Sequence, residues 1–305
     1  MEQKVSLTAP SVIAGLLREH GLRLRKSLGQ HFLCDGNILN KIIAAAELSP
    51  ADLVIEPGAG FGTLTLALAA RAGRVIAVEL DPKLVQILQA NLAESGSTNV
   101  EVLQRDFLGL DLAGLIASWQ ASSGPARAKA KVVGNLPYQI TSPILEMLMA
   151  HWRQLALAVL MVQHELAERL AAPPRPRASA LGVQLQAVAD VELLAKVPRT
   201  AFFPPPEVDS ALIRLVFLER PRIEAEEGLF SRVVRAAFNL RRKTIKQALI
   251  RSPFLRLSEG AAVAALQEAG LEPRRRGESL SLEEFDRLAQ AIARSGAAVG
   301  RSRGL

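Results

Sequence analysis

Cysteine is almost missing from this chain: Cys34 is the single one in 305 residues. That excludes a disulfide framework and a cysteine-based zinc site, and it suits a reducing cytoplasm. Aromatic residues are sparse at 4%, with one tyrosine, Tyr138. No apolar run approaches the roughly 20 residues that span a bilayer; the most apolar, 155–162, has the length of a buried strand. The apolar stretch 12–17 is followed by Arg18, Arg23, Arg25 and Lys26, the reverse of the charge order in a signal peptide. The chain therefore reads as cytoplasmic, with no membrane partner.

What is present is globular. The chain is 49% hydrophobic and 22% charged, enough for one large or two modest cores. Its net charge of +7 is unevenly placed. Residues 1–194 hold 17 Lys/Arg against 17 Asp/Glu, and residues 195–305 hold 20 against 13. An excess confined to the last third points to an acidic partner, nucleic acid first; a solubilising surface is the bland alternative.

Short β-branched runs at 52–56, 74–79, 100–104, 131–134 and 156–162 alternate with amphipathic stretches at 63–71, 82–93 and 142–152. This alternation predicts a doubly wound α/β domain with a parallel sheet, completed to seven strands by 190–197 and 210–218. Beyond 218 the spacing is helical at 229–239, 242–250, 261–269 and 282–294, without a strand between. The expected division is an α/β domain over 1–218, a small all-helical domain over 219–295, and a tail over 296–305.

Directly after the first strand stands Glu56-Pro57-Gly58-Ala59-Gly60-Phe61-Gly62, opening into a helix. Gly58 and Gly60 let the main chain turn sharply and approach a ligand at a helix N-terminus. Glu79 ends the second strand, where a carboxylate accepts hydrogen bonds from ribose hydroxyls, and Asp106 follows the third, suited to an adenine amine. Structural turns and ordinary helix caps, for which Asp81 and Asp106 are both good residues, would give parts of the same pattern. A dinucleotide fingerprint would place its third glycine at Thr63, and Glu56 would repel a pyrophosphate. S-adenosylmethionine (SAM), with its ammonium and sulfonium, fits better than NAD, which disfavours an oxidoreductase.

At the end of the fourth strand comes Asn135-Leu136-Pro137-Tyr138. The motif resembles the Asn/Asp-Pro-Pro-Tyr group of enzymes that methylate exocyclic amines of bases. The adenine N6 lone pair is delocalised into the ring; if the Asn135 side-chain oxygen and the Leu136 carbonyl each accept one N6 proton, the nitrogen turns tetrahedral and aims that pair. Tyr138 would stack on the base, a contact contributing about 1–3 kcal/mol. No strong general base is needed, because the ammonium formed is acidic and orientation dominates the barrier. A plain surface turn is the competing reading of these four residues.

Together with Gln30-His31-Phe32-Leu33, the run from Phe202 to Ser210, and Phe238-Asn239-Leu240-Arg241-Arg242-Lys243-Thr244, these motifs resemble the ribosomal RNA adenine N6,N6-dimethyltransferases over about residues 23–293, most nearly their bacterial small-subunit branch. The resemblance implies a Rossmann-like SAM-dependent methyltransferase domain with a helical C-terminal domain. Its substrate would be two adjacent adenosines in the 3'-terminal hairpin loop of 16S rRNA, within the immature small subunit. It places His31 and Leu33 on the methionine part of SAM with Gly58 facing them, Glu79 on the ribose, Asp106 on the adenine amine, and Asn135 between cofactor and target. Phe202 would stack on the base opposite Tyr138. Family members usually carry Asn where this chain has His31.

Arg241, Arg242 and Lys243 at a helix start, with Lys246 one turn on, form a basic face suited to RNA phosphates, and Arg274, Arg275 and Arg276 form a second cluster. A solvated helix end is the alternative. Cys34 lacks the Pro-Cys pair of cytosine C5 methylation, and His164-Glu165 has Glu168 where a zincin has its second histidine. No metal is expected, and nothing demands more than a monomer. The rival functions are a large-subunit adenine methyltransferase and a non-catalytic ribosome assembly factor.

Overall fold

The computed structural model describes residues 7–22, 29–122, 129–172, 179–240 and 242–295. Two compact units emerge: Met1–Ala167 with Asp190–Leu218, and Glu168–Ala189 with the chain from Glu219 onward. In the first unit the strands are β1 (Phe32–Leu33), β2 (Leu53–Pro57), β3 (Arg74–Glu79), β4 (Val100–Gln104), β5 (Ala130–Asn135), β6 (Leu155–Gln163), β7 (Ala189–Val197), β8 (Phe202–Phe203) and β9 (Ser210–Phe217). Seven form one sheet in the order β4-β3-β2-β5-β6-β9-β7, and β1 pairs with β8 in a separate ribbon.

Every residue of β2 is buried, as a central strand covered on both faces requires. β2 pairs in parallel with β3 on one side and β5 on the other. The chain winds outward from β2 through β3 to β4, then returns to lay β5 against the opposite side of β2. The strand order therefore reverses between β2 and β5, which opens a crevice beyond their carboxyl ends. The core beneath it joins Val54, Val75, Val133 and Val159 of four neighbouring strands to Ile38, Ile42, Leu64 and Leu68 of the flanking helices.

The sheet is mixed and not wholly parallel as the alternation suggests: β9 runs antiparallel to β6. The connection from Val197 to Ser210 carries no α-helix, and without a crossover element the chain cannot return to run parallel. The helices Gly36–Ala45 and Leu112–Ser122 and the β1–β8 ribbon are also absent from the sequence reading. Leu112–Ser122 alternates leucine with alanine, glycine and serine and shows no clear apolar stripe, and strands of two residues are too short for any periodicity.

The second unit contains the helices Ala180–Gln186, Glu227–Asn239, Ile245–Ile250, Glu259–Glu268 and Leu282–Arg294. Their starts are chemically marked: Ser179, Thr244, Ser258 and Ser281 each cap a helix, and Ser281 forms a reciprocal capping box with Glu284. The sequence spacing opens the second of the four C-terminal helices at Arg242. The structure opens it at Ile245, because Thr244 takes the cap and leaves Arg242 and Lys243 in the preceding turn.

Candidate active site

β2 ends in Glu56 and Pro57, and the next residues turn back over the crevice. Gly58 and Ala59 both donate their N–H groups to the Val78 carbonyl, at 2.8 and 3.1 Å. Gly60 adopts φ +57°, where a side chain is strained, and a Cβ there would sit 3.2 Å from the Phe32 ring. Its N–H donates to Glu79 Oε2 at 2.8 Å. The other Glu79 oxygen accepts the Asp81 N–H at 2.9 Å, so two backbone donors orient the carboxylate and leave lone pairs on both oxygens. Burial pushes the Glu79 pKa up, and these donors pull it back. Asn91, from the helix Pro82–Ser95, donates to the Phe61 carbonyl at 2.8 Å and pins the loop from behind.

Glu56 is 2% exposed and accepts a 2.6 Å hydrogen bond from the Thr65 hydroxyl. Burial raises its pKa to about 8, against the opposing Thr65 bond. A value near 8 favours the protonated carboxyl at neutral pH. Asp106 is exposed, and one oxygen caps the turn Phe107–Gly109 through the Leu108 N–H at 3.0 Å. The cap and a ligand contact are compatible, because the second oxygen is left over. Leu80, 50% exposed at the end of β3, offers an apolar surface at the same mouth.

The second half of the site lies at the end of β5. Gly134 passes so close to β2 that a Cβ would meet Pro57 at 2.9 Å. Asn135 Nδ2 donates to the His31 carbonyl at 2.8 Å. A carbonyl only accepts, so the amide has one orientation, and Oδ1 points away from His31 with no donor among the described residues. Leu136 is anchored by its N–H to the Met161 carbonyl at 3.2 Å. The Pro137 carbonyl accepts from Ile140 N–H at 3.2 Å and from the Thr141 hydroxyl at 3.1 Å, which holds the turn closed. The His31 ring lies 6.0 Å from the Tyr138 ring at 28°, and its Nδ1 donates to the Pro204 carbonyl at 2.8 Å.

One cavity of about 200 Å3 is bordered by His31, Leu33, Glu56, Gly58, Gly60, Glu79, Asp106 and Asn135 through Tyr138. The two loops lie close together: a Cβ on Gly58 would sit 3.6 Å from Pro137. Phe202 does not join them. It is 2% exposed, pairs with Leu33 across the β1–β8 ribbon and packs into the main core, so in this conformation neither ring face is open to a base. Among the described residues no group of three or more His, Cys, Asp or Glu could hold a metal ion.

The basic residues of the second unit behave unequally. Arg241 lies outside the described residues. Arg242 and Lys243 are exposed, whereas Lys246 is paired with Glu259 at 2.7 Å. Of the arginine triplet, Arg275 turns inward to a two-pronged bond with Glu284 at 2.5 and 2.8 Å, which leaves Arg274 and Arg276 exposed. The Ile245 N–H donates to the Arg275 carbonyl at 2.6 Å, so the two basic segments run side by side. Sequence spacing hides that adjacency. Gly134, Asn91 and Thr65 are likewise missed, although a glycine directly before Asn135 is a readable sign of close backbone approach.

Residues 21–293 match the family described as ribosomal RNA adenine dimethylase. The chain is 43% identical to ribosomal RNA small subunit methyltransferase A of Pelotomaculum thermopropionicum, over 96% of this chain and 99% of that one. Among solved structures, a dimethyladenosine transferase from Plasmodium falciparum is similar with TM-score 0.74 and 25% identity, covering 88% of this chain and 100% of its own. The 23S rRNA methyltransferase ErmE is similar with TM-score 0.64 and 30% identity, covering 86% and 99%. With nearly the whole chain matched, and a strand-reversal crevice that carries a glycine loop beside an oriented asparagine, this protein belongs to the ribosomal RNA adenine dimethylase family.

Proposed function

We propose that the chain methylates the exocyclic N6 of two adjacent adenosines in the 3'-terminal hairpin loop of 16S rRNA, twice each, using SAM. The observation that carries this reading is the single orientation of the Asn135 amide, in a residue that borders the same cavity as the glycine loop. Asn135 Oδ1 and the Leu136 carbonyl accept the two N6 protons and expose the lone pair. Tyr138 presents a ring face to the extruded base. Leaving the stack costs a few kcal/mol, least in a hairpin loop. Methylation ends at two groups, because dimethylated nitrogen has no N–H left for Asn135.

The residues present fit the donor. Glu79 has lone pairs for two ribose hydroxyls, Asp106 has an oxygen for the adenine amine, Leu80 covers the ring, and Gly58 and Gly60 leave the space that a Cβ would fill. His31 and Leu33 close the methionine end, and the proton on Glu56 is lost when a cation binds beside it. SAM supplies an electrophilic methyl carbon when bound. Arg242, Lys243, Arg274 and Arg276 meet RNA phosphates, with Arg241 in the same stretch of sequence.

The identity to a small-subunit enzyme over almost the full chain favours the small subunit. The likeness to a 23S rRNA methyltransferase keeps the large subunit as the second reading. The test is incubation of the purified chain with radiolabelled SAM and unmodified immature small subunits, followed by primer extension on both rRNAs. Two adjacent stops near the 3' end of 16S rRNA are expected; label or stops in 23S rRNA alone overturn the choice, and unlabelled RNA overturns the activity. We take the active form to be a monomer acting in the cytoplasm; light scattering on the active fraction checks the oligomeric state. Among the described residues no helix is long and apolar enough to cross a membrane.

A further inference from the structure

The segment leading into β9 contributes to the site in a way the proposed function does not use. β9 is antiparallel to β6, so it begins where β6 ends, with Ser210 paired to Gln163. Asn135 pairs with Met161 near the same end of β6. Antiparallel entry thus delivers the first residue of a strand to an edge otherwise formed by strand ends. Ser210 is 0% exposed, and its hydroxyl shares a 2.6 Å hydrogen bond with the Tyr138 hydroxyl.

The anchor itself is fixed. The preceding Asp209 accepts the His164 N–H on its carbonyl at 3.0 Å, and its carboxylate accepts the Arg199 N–H at 3.1 Å and pairs with Lys196 at 2.9 Å. With its backbone held on both sides, the Ser210 hydroxyl cannot follow a moving phenol. A phenolic O–H prefers the plane of its own ring, and a hydrogen bond weakens steeply as it bends. Fixing the partner of that hydroxyl therefore fixes both the direction and the plane of the ring.

We infer that Ser210 is a positioning residue, which sets the Tyr138 ring at the angle against which the target base stacks. This rests on the stacking role proposed above for Tyr138. The test is a cycle of Ser210→Ala, Tyr138→Phe and the double variant, assayed on unmodified small subunits with SAM. Each single change is expected to lower kcat/KM for RNA roughly tenfold, the worth of one hydrogen bond, with SAM affinity unchanged. The double variant should be no worse than either single one. Multiplied losses mean that Ser210 supports the fold and not the phenol, and they overturn the inference.

Because Tyr138 is the single tyrosine, its near-ultraviolet band, read against Tyr138→Phe as blank, reports on this bond without any RNA. A shifted band in Ser210→Ala supports the inference; an unmoved band overturns it. Ser210→Thr, which keeps a hydroxyl, should recover most of the activity. If Ser210→Ala does not fold, Tyr138→Phe alone decides, because an undiminished kcat/KM removes any role for the bond. Tyr138→Ala tests the stacking reading separately: full activity there sinks the stacking, whereas lost activity with a multiplicative cycle sinks only the role of Ser210.

Discussion

The crevice of the first unit and the basic turn of the second hold their polar side chains in different ways. In the crevice nearly every polar group has its geometry imposed by backbone: Glu79 by two N–H donors, Asn135 by a carbonyl, Asp106 by its own turn. In the basic turn Arg242 and Lys243 stand exposed, and two neighbours are already spent on Glu259 and Glu284. A reaction needs directed lone pairs, whereas a grip on a polyanion needs net charge at the right surface. On the proposed function, charge counting therefore overstates the grip on RNA, and motif counting understates how firmly backbone orients the crevice's polar groups.

The sharpest way to break the comparison is Asn135→Ala. Methylation should fall by roughly a hundredfold or more, as when an oriented active-site polar group is removed, while calorimetry shows SAM binding largely kept. Retained activity would mean that the imposed geometry is incidental. Gly60→Ala is the next largest, because the left-handed conformation alone costs about 1–2 kcal/mol for a side chain and the Phe32 ring must yield as well. SAM affinity should drop with it, read by the same titration.

The pH dependence separates the two regions further. The Glu56 value of about 8 lies above its ordinary 4.5, so the folded chain holds this proton more tightly than the unfolded one does. Its contribution to stability is therefore greatest below about 4.5, declines as pH rises to about 8, and is constant beyond. SAM binding should tighten from pH 6 to 8 and release a proton, visible as a dependence of the binding heat on buffer ionisation enthalpy. Glu56→Gln should abolish both trends.

Smaller effects distinguish the arginines. Arg275→Ala should lower the stability of the helical unit by about 1–3 kcal/mol through loss of its charged hydrogen bonds, measured by denaturant unfolding. Arg242→Ala and Lys243→Ala should leave stability unchanged, weaken RNA binding a fewfold each, and reduce the salt slope by about one per residue. Equal behaviour of all three would erase the distinction between internal and external charge.

The legible part of this molecule follows from local chemistry. β3 and β4 fall on the residues that periodicity selects, and the glycine loop, Glu79 and Asn135 stand at strand ends as expected. What stayed hidden depends on distant contact. The reversal of β9 shows only in the lack of a crossover helix. The bond from Ser210 to Tyr138 joins residues 72 positions apart. The raised pKa of Glu56 needs the burial of β2 by its neighbours. Phe202 reads from its motif as a base platform, yet the ribbon pairing with Leu33 draws its ring into the core.

Gly134 carries one more implication. Since it lets β5 lie hard against Pro57, the glycine loop after β2 and the Asn135 turn after β5 grow from adjacent strands of one sheet, about 4.8 Å apart. The spacing of the two loop bases is thereby gauged by the sheet's own pitch, and on the proposed function the outer loops can vary without lengthening the methyl group's path.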